Sequence, residues 1–354
     1  MKLAVIGTGA LGRHHARILS GMEGVELVAV ADVNAASGQQ VAEACHTRWV
    51  ADYRSIADEI DAAVVAVPTF AHHAVAGDLL DRGVPCLIEK PIALNVAQAE
   101  DLVARASKQN TLLQVGHVER FNPCWTAARP FLEHPKYIRS ERYSAYSFRS
   151  TDIGVVHDVM IHDIDLVLSI AGSPLKRVEG LGVSIVGGHE DCVQARLVFQ
   201  NGCIADLSAN RVSPVPRRGM QVWSASGTTS IDFAAREVVH YAQGANLKYG
   251  TPLPDRARLP GANLEQLKSE VFGHFIKLER PVVSTADALT GELAAFVHSL
   301  RTGAAPAVSG PEALDAMRAA EAILEKVATH QWDGCADGAI GPTPHVGMPW
   351  RQAG

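Results

Sequence analysis

Residues 157–166 of the chain, HDVMIHDIDL, place two histidines and three aspartates among apolar residues. On a helix, positions i, i+4 and i+7 fall on one face, so Asp158, His162 and Asp165 share a narrow polar stripe. The rest of this helix is almost entirely apolar, which is typical of a buried helix. Because unpaired polar groups are costly to bury, the stripe must contact polar partners or face a water-filled cleft.

Three interpretations of this stripe remain open from the residues alone. A structural network would bond its Asp and His side chains to backbone groups. A metal site would need a third ligand, and none is apparent in the sequence. In an acid–base pair, Asp158 would fix the tautomer of His162, a residue type that titrates near neutral pH. His157 and Asp163 point elsewhere and are expected to serve packing or helix-end contacts.

The first third of the chain carries a second pattern with chemical meaning. A short apolar run is followed directly by GTGALG (7–12), by helical spacing, and by a second apolar run that ends in Asp32. Gly7 can make a tight turn, Gly9 lets a pyrophosphate approach backbone N–H groups, and Gly12 lets helix and strand pack closely. Asp32 would accept hydrogen bonds from ribose hydroxyls and repel a 2′-phosphate. This order of features predicts a dinucleotide site that prefers NAD to NADP.

Apolar runs continue to alternate with helical spacing up to residue 117, which predicts a parallel, doubly wound sheet. Ligands of such sheets bind where the strands end, and polar residues follow three of the predicted strands. Lys90 directly follows one strand, which places it either beside the nicotinamide of a bound cofactor or on the surface. The predicted cofactor-binding residues are Gly7, Gly9, Ala10, Leu11, Gly12, Asp32, Val67, Pro68, Thr69, His72, Glu89, Lys90 and Gln114.

The pattern changes after residue 121 to successive β runs separated by turn signals, which predicts an antiparallel sheet in a second domain. We therefore predict an α/β Rossmann domain over residues 1–121. It is followed by an α+β domain with a large, mostly antiparallel sheet over 122–331, and by an irregular tail over 332–354.

Composition argues against several classes of protein. The 354 residues carry 32 Lys and Arg against 38 Asp and Glu, and the net charge of −6 argues against a nucleic-acid or anionic-membrane surface. No run of 18 apolar residues occurs, and the six cysteines form no CxxC pair or zinc spacing. We expect a cytoplasmic protein with reduced thiols and with no metal, nucleic-acid partner or membrane partner.

A nicotinamide fold, a strand-end lysine and a buried His–Asp stripe together describe alcohol oxidation. His162 would take the hydroxyl proton while hydride leaves the same carbon for the nicotinamide. Lys90 would stabilise the negative charge that develops on the oxygen. The predicted catalytic residues are Lys90, Asp158 and His162.

The segments GTGALG, VPTFAH, LIEKPIAL, VGHVERFNP and DVMIHDID resemble the glucose–fructose oxidoreductase/inositol dehydrogenase (Gfo/Idh/MocA) family over most of the chain. The resemblance implies that Lys90 of the EKP tripeptide, Asp158 and His162 are catalytic. It also implies a Rossmann domain followed by an α+β domain, whose open sheet forms the contacts of a homodimer or homotetramer. One departure is STDIGVVH (150–157), which stands where many relatives carry three consecutive glycines.

VGHVERFNP followed by DIGVVHDVMIHDIDLVLSI most resembles a bacterial branch that oxidises the 3-hydroxyl of UDP-N-acetylglucosamine, on the way to the 3-amino sugar of lipid A. A free sugar or polyol such as myo-inositol is the alternative substrate. An NAD-binding sensor or scaffold without catalysis is the alternative from another class. A UDP-sugar would require cations for its diphosphate. The predicted substrate-binding residues are His117, Arg120, Asn122, Arg149, Asp158, His162 and Arg211.

Overall fold

The computed structural model of the protein describes residues 1–148, 153–186 and 188–332. The chain divides into two units by its internal packing. Unit 1 comprises residues 1–122 and 286–325, and unit 2 comprises the described residues of 123–285 and 326–332. The first boundary lies one residue from the predicted one.

Unit 1 begins with alternating strands and helices. They are β1 (Lys2–Ile6), α1 (Gly12–Ser20), β2 (Glu26–Ala31), α2 (Ala35–Ala44), β3 (Arg48–Val50), β4 (Ala62–Val65), α3 (Thr69–Asp81), β5 (Cys86–Glu89), α4 (Val96–Lys108) and β6 (Leu113–Gly116). The six strands form one parallel sheet in the order β3-β2-β1-β4-β5-β6. Strands β4, β5 and β6 are buried along their whole length, as expected when helices cover both faces. The predicted doubly wound Rossmann fold is confirmed.

Unit 2 follows with a second sheet. Its elements are α5 (Pro123–Ala128), β7 (Pro135–Tyr143), a π-helical turn (Val156–Met160), α6 (Ile161–Ala171), β8 (Leu175–Val183), β9 (Cys192–Phe199), β10 (Ile204–Asn210), β11 (Arg217–Ser224), β12 (Gly227–Asp232), β13 (Glu237–Gln243), α7 (Ala245–Lys248), α8 (Leu253–Arg256), α9 (Leu264–Glu270) and β14 (Ile276–Glu279). The eight strands lie in the order β14-β13-β12-β11-β7-β10-β9-β8. Neighbouring strands are antiparallel except β7 and β10, which confirms the predicted mostly antiparallel sheet.

Two more helices, α10 (Ala288–Thr302) and α11 (Gly310–Thr329), complete the described chain. Both helices were predicted to lie in the second domain, but α10 and most of α11 belong to unit 1. The reason is hydrophobic: Leu293 and Phe296 of α10 lie in one buried cluster with Leu19 of α1 and Leu3 of β1. An apolar helix face packs against the surface that buries it, even when the two segments lie far apart in the sequence.

The predicted irregular tail (332–354) lies outside the described residues from 333 on. Within the described part of the chain, every helix is too short or too polar to cross a bilayer.

A buried ion pair attaches α6 to the second sheet. Nη2 and Nε of Arg142 in β7 lie 2.6 and 3.0 Å from Oδ1 of Asp163 in α6. Both side chains are almost completely buried. The prediction that Asp163 serves packing is therefore confirmed.

We expect Asp163→Asn to lower the free energy of unfolding by about 3–5 kcal/mol, because the substitution removes the carboxylate charge from a buried ion pair with Arg142. Urea denaturation followed by circular dichroism measures the loss. Glu265→Gln is the matched control, since it removes a carboxylate from the exposed pair with Lys268 and should leave the midpoint unchanged. Equal midpoints for the two variants would contradict a stabilising role for the buried pair.

Candidate active site

The GTGALG segment forms the loop between β1 and α1. Gly7 has a φ of +93°, and a side chain there would collide with the backbone of Ala66, so this position requires glycine. A side chain at Gly12 would overlap the carbonyl oxygen of Gly7. Gly9, in contrast, faces open space, since no atom lies within 4 Å of the point that a Cβ would occupy. No side chain caps the N-terminus of α1, so the loop has both room and N–H donors for a pyrophosphate.

The carboxylate of Asp32 lies just after β2, against this loop. Its Oδ2 accepts hydrogen bonds from the backbone N–H and the hydroxyl of Thr8, at 2.7 and 2.6 Å. Its Oδ1 accepts one from the backbone N–H of Asn34 at 2.8 Å. A carboxylate offers about four acceptor sites, so the partly exposed Asp32 retains capacity for a ribose hydroxyl. The loop and Asp32 therefore fit the adenosine half of NAD.

The segment after β4 lies beside the glycine loop, because a side chain at Gly7 would also collide with the backbone nitrogen of Val67. Val67, Pro68 and Thr69 are thus placed at the strand ends, as predicted for cofactor-binding residues. Their contact with a cofactor stays a prediction.

The ring of His72 contacts two backbone carbonyl groups. It is buried, with Nδ1 2.9 Å from the carbonyl oxygen of Pro91 and Nε2 2.8 Å from that of Val67. Burial lowers the pKa of His72 below its usual value, although both carbonyl contacts oppose that shift. The ring thus connects the chain after β4 to the chain after β5, and its contact with a cofactor stays a prediction.

Glu89 and Lys90 lie at the carboxyl end of β5. Oε1 of the buried Glu89 is 2.6 Å from Nε2 of His15, and its Oε2 accepts a hydrogen bond from the backbone N–H of Lys90 at 3.2 Å. Although burial raises it, the pKa of Glu89 stays below its usual value because of the hydrogen bond and charge of His15 and the charge of Lys90. Glu89 therefore ties α1 to the main chain at Lys90, and we assign it a positioning role in place of the predicted cofactor contact.

Gln114 lies inside β6, which ends two residues later at Gly116. Its side chain is completely buried, and Nε2 donates a hydrogen bond to the carbonyl oxygen of Glu292 at 3.2 Å. The cofactor contact of Gln114 stays a prediction, and the described structure shows its side chain bonded to the main chain of α10.

Three predicted substrate residues follow β6 in unit 1. His117 is buried. Nη2 of Arg120 lies 3.6 Å from Oε1 of Glu312, and Nδ2 of Asn122 donates a hydrogen bond to Oε2 of Glu119 at 3.0 Å. Substrate contact by these three residues stays a prediction.

The polar stripe that contains Asp158 and His162 lies in unit 2, and it is less regular than predicted. Asp158 belongs to the π-helical turn, whereas His162 belongs to α6. A π turn closes its hydrogen bonds over five residues and so changes the angle between successive side chains; such turns are frequent at functional sites. Asp158 and His162 are half-buried, whereas Asp165 is buried. The prediction of one regular α-helix over 155–170 is therefore wrong at its N-terminal end.

Glu190 stabilises the start of the π-helical turn and was missed in the sequence. Its Oε1 accepts a hydrogen bond from the backbone N–H of Val156 at 3.1 Å, and any side chain at Gly154 would overlap its carboxylate. Burial raises the pKa of Glu190 above its usual value, although the bond from Val156 lowers it. No recognisable motif surrounds Glu190, so the nearby sequence does not indicate that it bonds to residue 156.

Arg211 was predicted to bind substrate, but its guanidinium is buried in an ion pair. Nε lies 2.8 Å from Oδ1 of Asp191, and Nη1 donates a hydrogen bond to the carbonyl oxygen of Ile153 at 2.7 Å. These buried partners hold the charge of Arg211, and its contact with substrate stays a prediction. Arg149, the other predicted arginine of unit 2, lies outside the described residues.

Two family models match the chain. Residues 1–117 match the oxidoreductase family with an NAD-binding Rossmann fold, and residues 124–230 match the GFO/IDH/MocA C-terminal domain.

Curated relatives and solved structures agree with these matches. UDP-N-acetylglucosamine 3-dehydrogenase of Acidithiobacillus ferrooxidans is 33% identical over 285 residues, which are 80% of this chain and 90% of the relative. scyllo-Inositol 2-dehydrogenase (NAD(+)) of Bacillus subtilis is 25% identical over 233 residues, which are 60% of this chain and 68% of the relative. A solved structure of the A. ferrooxidans enzyme has a TM-score of 0.81 at 30% identity, and the match covers 92% of this chain and 97% of that one.

We expect Asp32→Ala to weaken NAD binding and to reduce discrimination against NADP. The variant loses an acceptor for the ribose hydroxyls and the charge that repels a 2′-phosphate, and a charge-assisted hydrogen bond of about 1.5–3 kcal/mol corresponds to about 10- to 150-fold in affinity. Isothermal titration with both nucleotides measures the two dissociation constants.

Two controls accompany the Asp32 variant. Asp32→Asn removes the charge but keeps an acceptor oxygen for Thr8, and it separates the effect of charge from that of loop packing. Asp58→Ala removes a carboxylate from an exposed side chain and should bind both nucleotides as the wild type does. An unchanged ratio of NAD to NADP affinity in Asp32→Ala would refute the assigned role.

Proposed function

Because the chain belongs to the Gfo/Idh/MocA oxidoreductase family, we propose that it uses NAD to oxidise the 3-hydroxyl of UDP-N-acetylglucosamine. The family's nucleotide is NAD, and its members oxidise CH–OH groups of sugars and polyols. The proposed catalytic role of Lys90 is supported by its position at the end of β5. The preceding residue, Glu89, bonds both to the main chain of Lys90 and to the helix that begins at the glycine loop.

The residues of unit 1 would bind and orient the cofactor. The glycine loop and the N-terminus of α1 would hold the pyrophosphate, and Asp32 would accept hydrogen bonds from the adenosine ribose. When bound, NAD supplies the hydride acceptor. Lys90, at the carboxyl end of β5, would donate a hydrogen bond to the substrate oxygen and stabilise the charge that develops there.

The residues of unit 2 would move the proton. In this proposal His162 takes the hydroxyl proton as general base, and Asp158 orients its ring. The half-buried state of both side chains is compatible with access to a substrate. That Lys90 of unit 1 and His162 of unit 2 act on the same carbon is part of the proposal.

The choice of substrate is supported by similarity. The A. ferrooxidans relative is a UDP-N-acetylglucosamine 3-dehydrogenase, and the similarity spans nearly its whole length. A free polyol is the second candidate, because the B. subtilis relative is a scyllo-inositol 2-dehydrogenase. Two of the arginines predicted to bind substrate lie in the described part of the chain, and Arg211 is engaged in a buried ion pair. Arg120 is therefore the candidate for binding a diphosphate.

We also infer that the protein forms a homodimer or homotetramer through its eight-stranded sheet. Trp223 of β11 is half exposed and contacts Tyr137 of β7. Exposed aromatic side chains are enriched at subunit interfaces.

We expect purified protein mixed with NAD and UDP-N-acetylglucosamine to produce NADH, measured by its near-ultraviolet absorbance. UDP-glucose, myo-inositol and scyllo-inositol form the comparison panel. Turnover of an inositol without turnover of the UDP-sugar would replace the substrate assignment with the second candidate. Tight NAD binding with no turnover of any alcohol would instead indicate a sensor or scaffold.

Lys90→Met and His162→Gln are each expected to lower kcat by about 10²- to 10⁴-fold, because one removes charge stabilisation and the other removes the general base. Steady-state kinetics measures kcat, and titration checks that each variant still binds NAD. Lys108→Met and His298→Gln change exposed residues of the same types and should leave kcat unaltered. Wild-type kcat in Lys90→Met or His162→Gln would rule out the catalytic assignment of that residue.

A further inference from the structure

Three titratable side chains form a buried cluster inside unit 1, here called the acid cluster: His15 of α1, Glu89 of β5 and Glu292 of α10. One nitrogen or oxygen atom of each lies within 4.8 Å of those of the other two. His15 and Glu292 are completely buried, and Glu89 is 6% exposed. Gln114 of β6 also contacts Glu292, because its side chain donates a hydrogen bond to the main-chain carbonyl oxygen of that residue. The cluster therefore places two carboxyl groups close together, away from water.

The two carboxyl groups of the acid cluster have unequal partners. Glu89 receives the bonds from His15 and from the backbone of Lys90. Neither oxygen of Glu292 has a hydrogen-bond partner within the described part of the chain. A buried carboxylate without donors is strongly destabilised, and two adjacent carboxylates cannot both ionise easily. The charge therefore resides on Glu89, and the proton resides on Glu292.

The pKa directions agree with this geometry. Burial raises the pKa of Glu292 well above its usual value, and the neighbouring Glu89 carboxylate raises it further. The elements beside α10 carry these titratable or charged groups: Arg13, His14, His15 and Arg17 on α1, Glu89 and Lys90 at the end of β5, and Glu119 and Arg120 in the turn Val118–Phe121.

A second negative charge in the acid cluster would disturb the contact between α1 and Lys90. It would repel the Glu89 carboxylate and compete with it for His15. Since Glu89 joins that helix to the main chain at Lys90, a shift of its carboxylate would disturb the main chain of the proposed catalytic lysine.

We propose that Glu292 is a positioning residue that remains a neutral acid in the active enzyme, keeps Glu89 bonded to His15 and Lys90, and inactivates the enzyme when it ionises at alkaline pH. The catalytic consequence rests on the proposed function of Lys90. The protonation state of Glu292 can be tested without any turnover.

The first test measures thermal unfolding of the full-length protein between about pH 5 and pH 9. An acid whose pKa is raised in the native state, from a reference value of 4.5, loses its proton more readily in the unfolded state, so stability falls as pH rises toward the native pKa. Glu292→Gln has no proton to lose, and its melting temperature relative to wild type should increase with pH. Glu43→Gln neutralises an exposed carboxylate and should follow the wild-type pH dependence.

A difference between Glu292→Gln and wild type that does not change with pH would overturn the neutral-acid assignment. If Glu292→Gln does not fold, infrared spectroscopy of the wild-type protein provides the test, because a protonated buried carboxyl group has its own C=O band. Absence of that band at neutral pH would overturn the proposal. One bound zinc or manganese ion per chain in the purified protein would also overturn it, because a cation would then neutralise the acid cluster.

The second test is the pH profile of kcat. Glu292→Gln is expected to reduce kcat at neutral pH by no more than about threefold and to move the alkaline limb upward by at least about one pH unit. Glu89→Gln should lower kcat at least about tenfold at every pH, because it loses the bonded carboxylate itself. An alkaline limb unchanged in Glu292→Gln would exclude the switch, whereas absence of turnover in wild type would refute only the proposed function.

Discussion

The buried hydrogen bond between His15 and Glu89 is the contact on which the nucleotide half of the site depends. His15 lies in the first turns of α1, which begins at the glycine loop, and Glu89 is the last residue of β5. Because Lys90 follows Glu89 directly, this contact of 2.6 Å joins the helix that begins at the glycine loop to the residue that precedes the proposed catalytic lysine. Burial prevents water from competing for either partner, which makes the placement rigid.

Unit 2 also positions its polar residues through buried charged side chains. The Arg142–Asp163 pair attaches α6 to the sheet, and Glu190 accepts a hydrogen bond from the start of the π-helical turn that carries Asp158. A buried ion pair contributes little net stability compared with apolar packing, but it restricts geometry, because a buried charge is costly unless its partner stays in place. Both units therefore use buried charges to orient residues that must themselves stay accessible.

The parallel sheet explains where the chemistry lies in unit 1. Its strands are buried on both faces, so polar side chains gather at the carboxyl ends of the strands, where Asp32 and Lys90 are found. Polar residues inside the unit, such as Gln114 and His72, bind backbone carbonyl groups instead. In unit 2 the guanidinium of Arg211 is likewise buried, in an ion pair with Asp191.

Local patterns were enough to predict the glycine loop, Asp32, the strand-end position of Lys90 and both sheet types, because turn chemistry and hydrophobic periodicity act over a few residues. The roles of His15, Gln114, Arg211 and Glu292 could not be read in this way. His15 belongs to no motif in the sequence, and Gln114 contacts Glu292 across 178 positions of the chain. The burial and the partner of a polar group depend on which distant segment packs against it. Helix α10 packs into unit 1 through apolar contacts, and the sequence around Gln114 or Glu292 does not indicate this packing.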